Sequence, residues 1–185
     1  ASVIASIKKI TATNKNALLG SSGLSIQYAI MMGLIDDALE KHQGKAIHIV
    51  VPPNCYGGTN DQARRVAACL DNVEVVDLPV DGNHNMVEST NIVLEQAATA
   101  DAVPLIIAEI PTNPRVEVPN LLELKAVLSK KRHTPNGDTA IDPVFILDQT
   151  FCPNVLFLGE GQILSTVRAI SYASGSKFPS GGKCT

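Results

Sequence analysis

Apolar positions along the 185-residue chain alternate between short solid runs and longer stretches of helical spacing. Ser2 to Ile10 has the pattern of a short helix, and Leu24 to Glu40 carries apolar residues at the intervals of a long one. The β-branched run Ala46 to Val51, closed by Pro52 and Pro53, predicts a strand. Asp61 to Leu70 predicts a helix, Val73 to Leu78 a strand, and Met86 to Ala98 a helix. Val103 to Ala108 predicts a buried strand ended by Pro111 and Pro114. Pro119 to Lys130 predicts a helix with proline near its first turn, where a missing N–H costs little. Lys130, Lys131 and Arg132 then read as a basic helix end suited to the dipole. Lys131 to Asp142 is polar and predicts a loop. Val144 to Leu147 predicts a further strand, and Ala169 to Tyr172 a short last one. The apolar triplet Ala17 to Leu19 is read as a short strand, and Val155 to Thr166 shows no dominant period.

Strands separated by helices imply an α/β domain: a mostly parallel sheet with helices on both faces. Ligands in such sheets sit beyond the carboxyl ends of the strands. Composition agrees with a globular domain, at 45% hydrophobic and 18% charged residues. Aromatics are 4% and Trp is absent, so the core must be aliphatic. A net charge of −3 gives no electrostatic reason to expect nucleic acid or an anionic membrane. No apolar run approaches the roughly 20 residues that span a bilayer. Cys55, Cys69, Cys152 and Cys184 have neither zinc-module nor disulfide-scaffold spacing, and are expected as reduced thiols in a cytoplasmic protein. His42, His48, His84 and His133 lack companions that would make a metal site. The chain opens without Met and closes in a Gly-, Ser- and Lys-rich stretch. The expectation is one domain, residues 1–185, cut from a longer polypeptide.

Five segments carry candidate chemistry. Gly20-Ser21-Ser22-Gly23 opens the long helix, where free N–H groups and small residues suit a phosphate, or simply an N-cap. Asn54-Cys55-Tyr56-Gly57-Gly58-Thr59 follows a strand and offers a flat aromatic beside two glycines. Glu109-Ile110-Pro111-Thr112-Asn113-Pro114 contains an Asn held out of the helical region by the proline after it. Asp148, at the end of the apolar run Ile146-Leu147 and before Gln149-Thr150-Phe151, is costly to bury without a partner. Ser174-Gly175-Ser176-Lys177-Phe178 presents a Lys among small residues, where its amine can reach a carbonyl group.

Each segment also has a bland reading as a turn, cap or solvated loop. Together they match the needs of one cofactor, pyridoxal 5′-phosphate (PLP). Its phosphate needs N–H groups and hydroxyls, its ring a stacking face, its pyridine nitrogen an acid, and its aldehyde a lysine. Neither GxGxxG nor a P-loop is present, which argues against a nucleotide-binding domain.

On these residues, from about Leu18 to Gly182, the sequence resembles the PLP-dependent trans-sulfuration enzymes. Those are the cystathionine γ-synthases, cystathionine β- and γ-lyases and methionine γ-lyases, of the PLP-transferase (fold type I) class. The resemblance implies that Lys177 forms the internal aldimine and shuttles protons, and that Asp148 pairs with the pyridinium nitrogen. It implies stacking and possible proton transfer by Tyr56. Ser22, Gly23 and Leu24 would hold the phosphate with Ser174 and Ser176, Asn113 would bond the ring's 3′ oxygen, and Thr150 would sit beside it. It further implies β/γ-elimination or γ-replacement on a cystathionine-like amino acid, in a homo-oligomer. Gln149 departs from the family's usual Asn, Ile110 from small polar residues, and Gly182 from a frequent His. The family's N-terminal arm and C-terminal domain are expected outside this chain. The alternatives are another enzyme of the same fold class, such as an aminotransferase or desulfurase, or a truncated PLP-binding domain without turnover.

Overall fold

A computed structural model describes residues 2–177. Phe178, Gly181, Gly182 and Cys184 lie outside the described residues. Among the described residues five strands form one parallel sheet: β1 (Ile47–Val51), β2 (Val73–Asp77), β3 (Val103–Glu109), β4 (Val144–Asp148) and β5 (Ala169–Tyr172). Their order is β2-β1-β3-β4-β5. The five helices of the described residues are α1 (Val3–Ile10), α2 (Gly23–Lys41), α3 (Gly57–Ala67), α4 (Met86–Thr99) and α5 (Leu121–Ser129).

Alternation along the strands decides which helices cover which face. Ile49, Leu105 and Ile146 face one way and pack under Met31 and Ile35 of α2 and Ala63 and Val66 of α3. Val50, Ile106, Phe145 and Leu147 face the other way, against Val93 and Leu94 of α4 and Leu124 and Leu128 of α5. Helices therefore cover both faces, as expected. β3 and β4 are buried along their whole length, which explains their solid apolar sequences. The crossover reverses direction between β1 and β3, and this opens a crevice beyond their carboxyl ends.

Several boundaries differ from expectation, each for a local reason. Ala17 to Leu19 forms no strand; Leu18 and Leu19 are 82% and 54% exposed and pair with no neighbour. α3 begins at Gly57, four residues early. α5 begins at Leu121 because the Asn120 side chain accepts from the N–H groups of Leu122 and Glu123, placing Pro119 outside the helix. β3 and β4 each run one residue further, so Glu109 and Asp148 are the last strand residues. Residues 155–166 form consecutive turns.

Arg132 is not a solvated helix end. It lies past α5, 7% exposed, and reaches back to α4. Its guanidinium donates to Glu95 Oε1 at 3.0 Å and to Asn91 Oδ1 at 2.8 Å. It also donates to the Val127 and Lys130 carbonyls at 3.1 and 3.2 Å, closing the end of α5. Replacing Arg132 with Ala removes the packed stem and takes the donor from Asn91 Oδ1 and the Lys130 carbonyl, while Glu95 and the Val127 carbonyl keep Lys130, so stability falls by roughly 2 kcal/mol. Urea unfolding checks this as a lower midpoint at unchanged slope.

Candidate active site

The crevice is a cleft of about 360 Å³ at the carboxyl end of the sheet. All ten residues singled out from the sequence line it: Ser22, Gly23, Leu24, Tyr56, Asn113, Asp148, Thr150, Ser174, Ser176 and Lys177. The separation of Asp148 and Lys177 onto opposite sides of the molecule would have removed any common chemistry; they share one wall system instead.

Helix α2 opens onto the cleft with a capping box. Ser22 Oγ accepts from Ser25 N–H at 3.1 Å, and Ser22 N–H donates to Ser25 Oγ at 2.9 Å. The N–H groups of Gly23 and Leu24 are left without an acceptor among the described residues. Gly23 has to be glycine here: a Cβ would stand 2.8 Å from the Ser174 Cβ. Opposite it, the Ser174 and Ser176 hydroxyls share a 2.8 Å hydrogen bond. Two free N–H groups, a helix N-terminus and two hydroxyls thus converge on one end of the cleft.

Tyr56 forms a second wall. Its N–H donates to Glu109 Oε1 at 2.9 Å, which pins the turn between β1 and α3 to the end of β3. Its ring lies back over Gly58, where a Cβ would meet Tyr56 Cε1 at 2.7 Å and Leu24 Cδ2 at 3.0 Å. Gly57 faces open space, so only the second glycine of the pair is sterically required. Cys55 packs into the core beside it, and burial pushes its thiol up to about 12, as expected of a packing residue.

Asp148 closes the floor. Its Oδ1 accepts from Thr150 N–H at 2.9 Å, and Thr150 Oγ1 accepts from Ser174 N–H at 2.9 Å. Gln149 turns away from the cleft. Its amide donates to the carbonyls of Cys152, Pro153 and Val155, holding the following turn where the family has Asn. Lys177 is exposed at the rim.

The cleft also contains residues that sequence reasoning passed over. Glu109 is register partner to Asp148, and burial, then the Asp148 charge, push its carboxyl up to about 7. Gln27, Thr59 and Tyr172 reach the cleft from α2, α3 and β5. Glu109 ends an apolar strand just as Asp148 does, and Gln27 interrupts the buried stripe that continues in Met31 and Ile35. Those were the available signals. Tyr172 had none before its register was seen.

The fold has solved counterparts. A cystathionine γ-lyase, CalE6, from Micromonospora echinospora aligns with TM-score 0.57 and 17% identity, over 92% of this chain and 36% of its own. Serine palmitoyltransferase from S. paucimobilis, solved with a PLP–myriocin aldimine, aligns with TM-score 0.62 and 16% identity, over 97% of this chain and 40% of its own. MetB from Corynebacterium glutamicum aligns with TM-score 0.50 and 23% identity, over 78% and 30%. The chain has the fold of these enzymes. It is an α/β domain, a parallel sheet with helices on both faces, and the resemblance seen in its motifs extends to this architecture. It spans 30–40% of the length of each of these proteins. No family model and no curated protein matches the sequence.

Proposed function

We propose that this chain is the PLP-binding domain of an enzyme that acts on sulfur-containing amino acids. The observation carrying this reading is a single cleft with an acid on its floor, an aromatic wall, a cradle of N–H groups and hydroxyls and a rim lysine. The residues present fit the cofactor. Gly23 lets the start of α2 lie close against Ser174, and two N–H groups with two hydroxyls converge there. Those groups would hold the phosphate. Asp148, oriented by Thr150 N–H, would accept from a protonated ring nitrogen. Tyr56 would cover one ring face, and Asn113 would bond the ring's 3′ oxygen. PLP, when bound, supplies the electron sink for amino-acid carbanion chemistry. Lys177 Nζ would anchor the cofactor's aldehyde and then carry the substrate's α-proton.

The trans-sulfuration motifs and the fold shared with CalE6 and MetB support β/γ-elimination or γ-replacement at a cystathionine-like side chain. Tyr56 and Phe151, 50% and 53% exposed at the cleft, support closure of the site by a second copy. The alignment with serine palmitoyltransferase supports a second reading, a fold type I enzyme outside sulfur metabolism. Turnover of cystathionine against turnover of an amino-acid and keto-acid pair separates the two.

The direct test is chemical trapping. The intact protein is incubated with PLP, reduced with borohydride, digested and mapped by mass. The expected product is one phosphopyridoxyl group on the peptide containing Lys177. Label spread over surface lysines, or none, removes the proposal.

A further inference from the structure

The floor of the cleft is more polar than the proposed function requires. Glu109, Asp148 and Tyr172 end β3, β4 and β5 as register partners, so their side chains stand in one row on the face beneath α2 and α3. Gln27 descends onto that face from α2, 1% exposed, and Thr59 from α3, 2% exposed. Both amide atoms of Gln27 and the hydroxyl of Tyr172 are buried with no hydrogen-bond partner among the described residues. The Tyr172 hydroxyl lies beside the Asp148 carboxylate and Thr59 but meets hydrogen-bond geometry with neither. Burial first, and the Asp148 charge second, raise its pKa, so it remains a proton donor.

Each such buried, unpaired group destabilises the ligand-free fold. Leu at position 27 and Phe at position 172 fill nearly the same volume without that cost. The ligand-free fold therefore gains nothing from the two polar groups, and their use lies in the filled cleft. Asp148 has one oxygen occupied by Thr150 N–H. Gln27 and Thr59 line the same cleft, and the Tyr172 hydroxyl lies beside that carboxylate. Around it stand Glu109, Cys55, Cys152 and Tyr172, none of them a cation. A carboxylate that must meet a positive ring nitrogen from the front has hydrogen-bond donors, and no cation among these neighbours, to steady it from behind.

We propose that Tyr172 and Gln27 are positioning residues for Asp148, donating to its second oxygen when a protonated ring nitrogen docks against the carboxylate. This rests on the PLP reading above. It assigns to two residues outside the recognised motifs the task of aiming the acid.

Tyr172→Phe and Gln27→Leu test it in the intact protein. The ligand-free thermal midpoint of each variant is expected to equal or exceed that of the wild type, because a desolvation cost has been removed. PLP affinity is expected to fall about tenfold, the effect of losing one hydrogen bond to a charged group. The visible absorption maximum of bound PLP is expected to shift, since it reports the ring nitrogen's environment. A purely structural role predicts the reverse pattern, a lower ligand-free midpoint with unaltered spectrum and affinity, and that result overturns the inference. Variants identical to wild type in all three readouts overturn it too. Wild-type protein that takes up no PLP overturns the parent reading; wild type that takes it up beside unaltered variants overturns this inference alone.

Discussion

Lys177→Ala leaves the intact protein unable to hold PLP covalently: borohydride reduction yields no labelled peptide, and turnover falls by roughly 10³-fold or more. Lys177 is the only lysine among the described residues that lines the cleft with Asp148. Lys130 and Lys131 are paired elsewhere, with Glu95 and Asp142. No other described amine lines the cleft to replace it. Reversible uptake of PLP should persist in the variant, because the cradle of Gly23, Leu24, Ser174 and Ser176 is untouched. Dialysis should then remove the cofactor from the variant and not from the wild type. Lys131→Ala, a surface control, should label as wild type does. Stoichiometric label on the Lys177→Ala protein would show that another amine carries the aldehyde.

Stability should decline as pH rises from about 5 to 8, and Glu109 should account for most of the decline. Its carboxyl lies at 4.5 in the unfolded chain and at about 7 in the fold, raised by burial first and by the Asp148 charge beside it. Between those values the folded protein keeps a proton that the unfolded chain has lost. The contribution of Glu109 is therefore fully present below pH 4.5 and is lost as pH climbs through about 7. At about 1.4 kcal/mol per pH unit, the loss is on the order of 3 kcal/mol. His48 acts in the opposite sense: burial lowers its pKa, so its contribution improves as pH rises. Glu109→Gln separates the two. Its amide oxygen can still accept from Tyr56 N–H, but it cannot titrate. Urea midpoints across this range should fall for the wild type and hold level or rise for the variant. Parallel curves for the two proteins would remove Glu109 as the cause.

All five described strands were legible in the sequence, β3 and β4 most plainly because buried parallel strands need unbroken apolar runs, and Val103 to Ala108 has no other plausible fate. The site was legible where a residue type is unusual for its place, as with Asp148 after Ile146 and Leu147, or a lysine among Ser174 and Ser176. It was not legible where meaning depends on a neighbour in space. Tyr172 reads as one more strand aromatic until register sets it beside Asp148. Arg132 reads as a helix-end charge until α4 supplies Glu95 and Asn91. The triplet Ala17 to Leu19 misled for the converse reason, since apolarity alone makes no strand when no adjacent edge is offered.

Thr150 ties the loop after β4 to the loop after β5, with its backbone N–H on Asp148 and its hydroxyl under Ser174 N–H. The gap between the acid on the floor and the amine on the rim is thus gauged by one threonine rather than by the pitch of the sheet. Drift in strand twist would carry both ends of the chemistry together, and the fit to a rigid aromatic guest would survive small deformations of the scaffold around it.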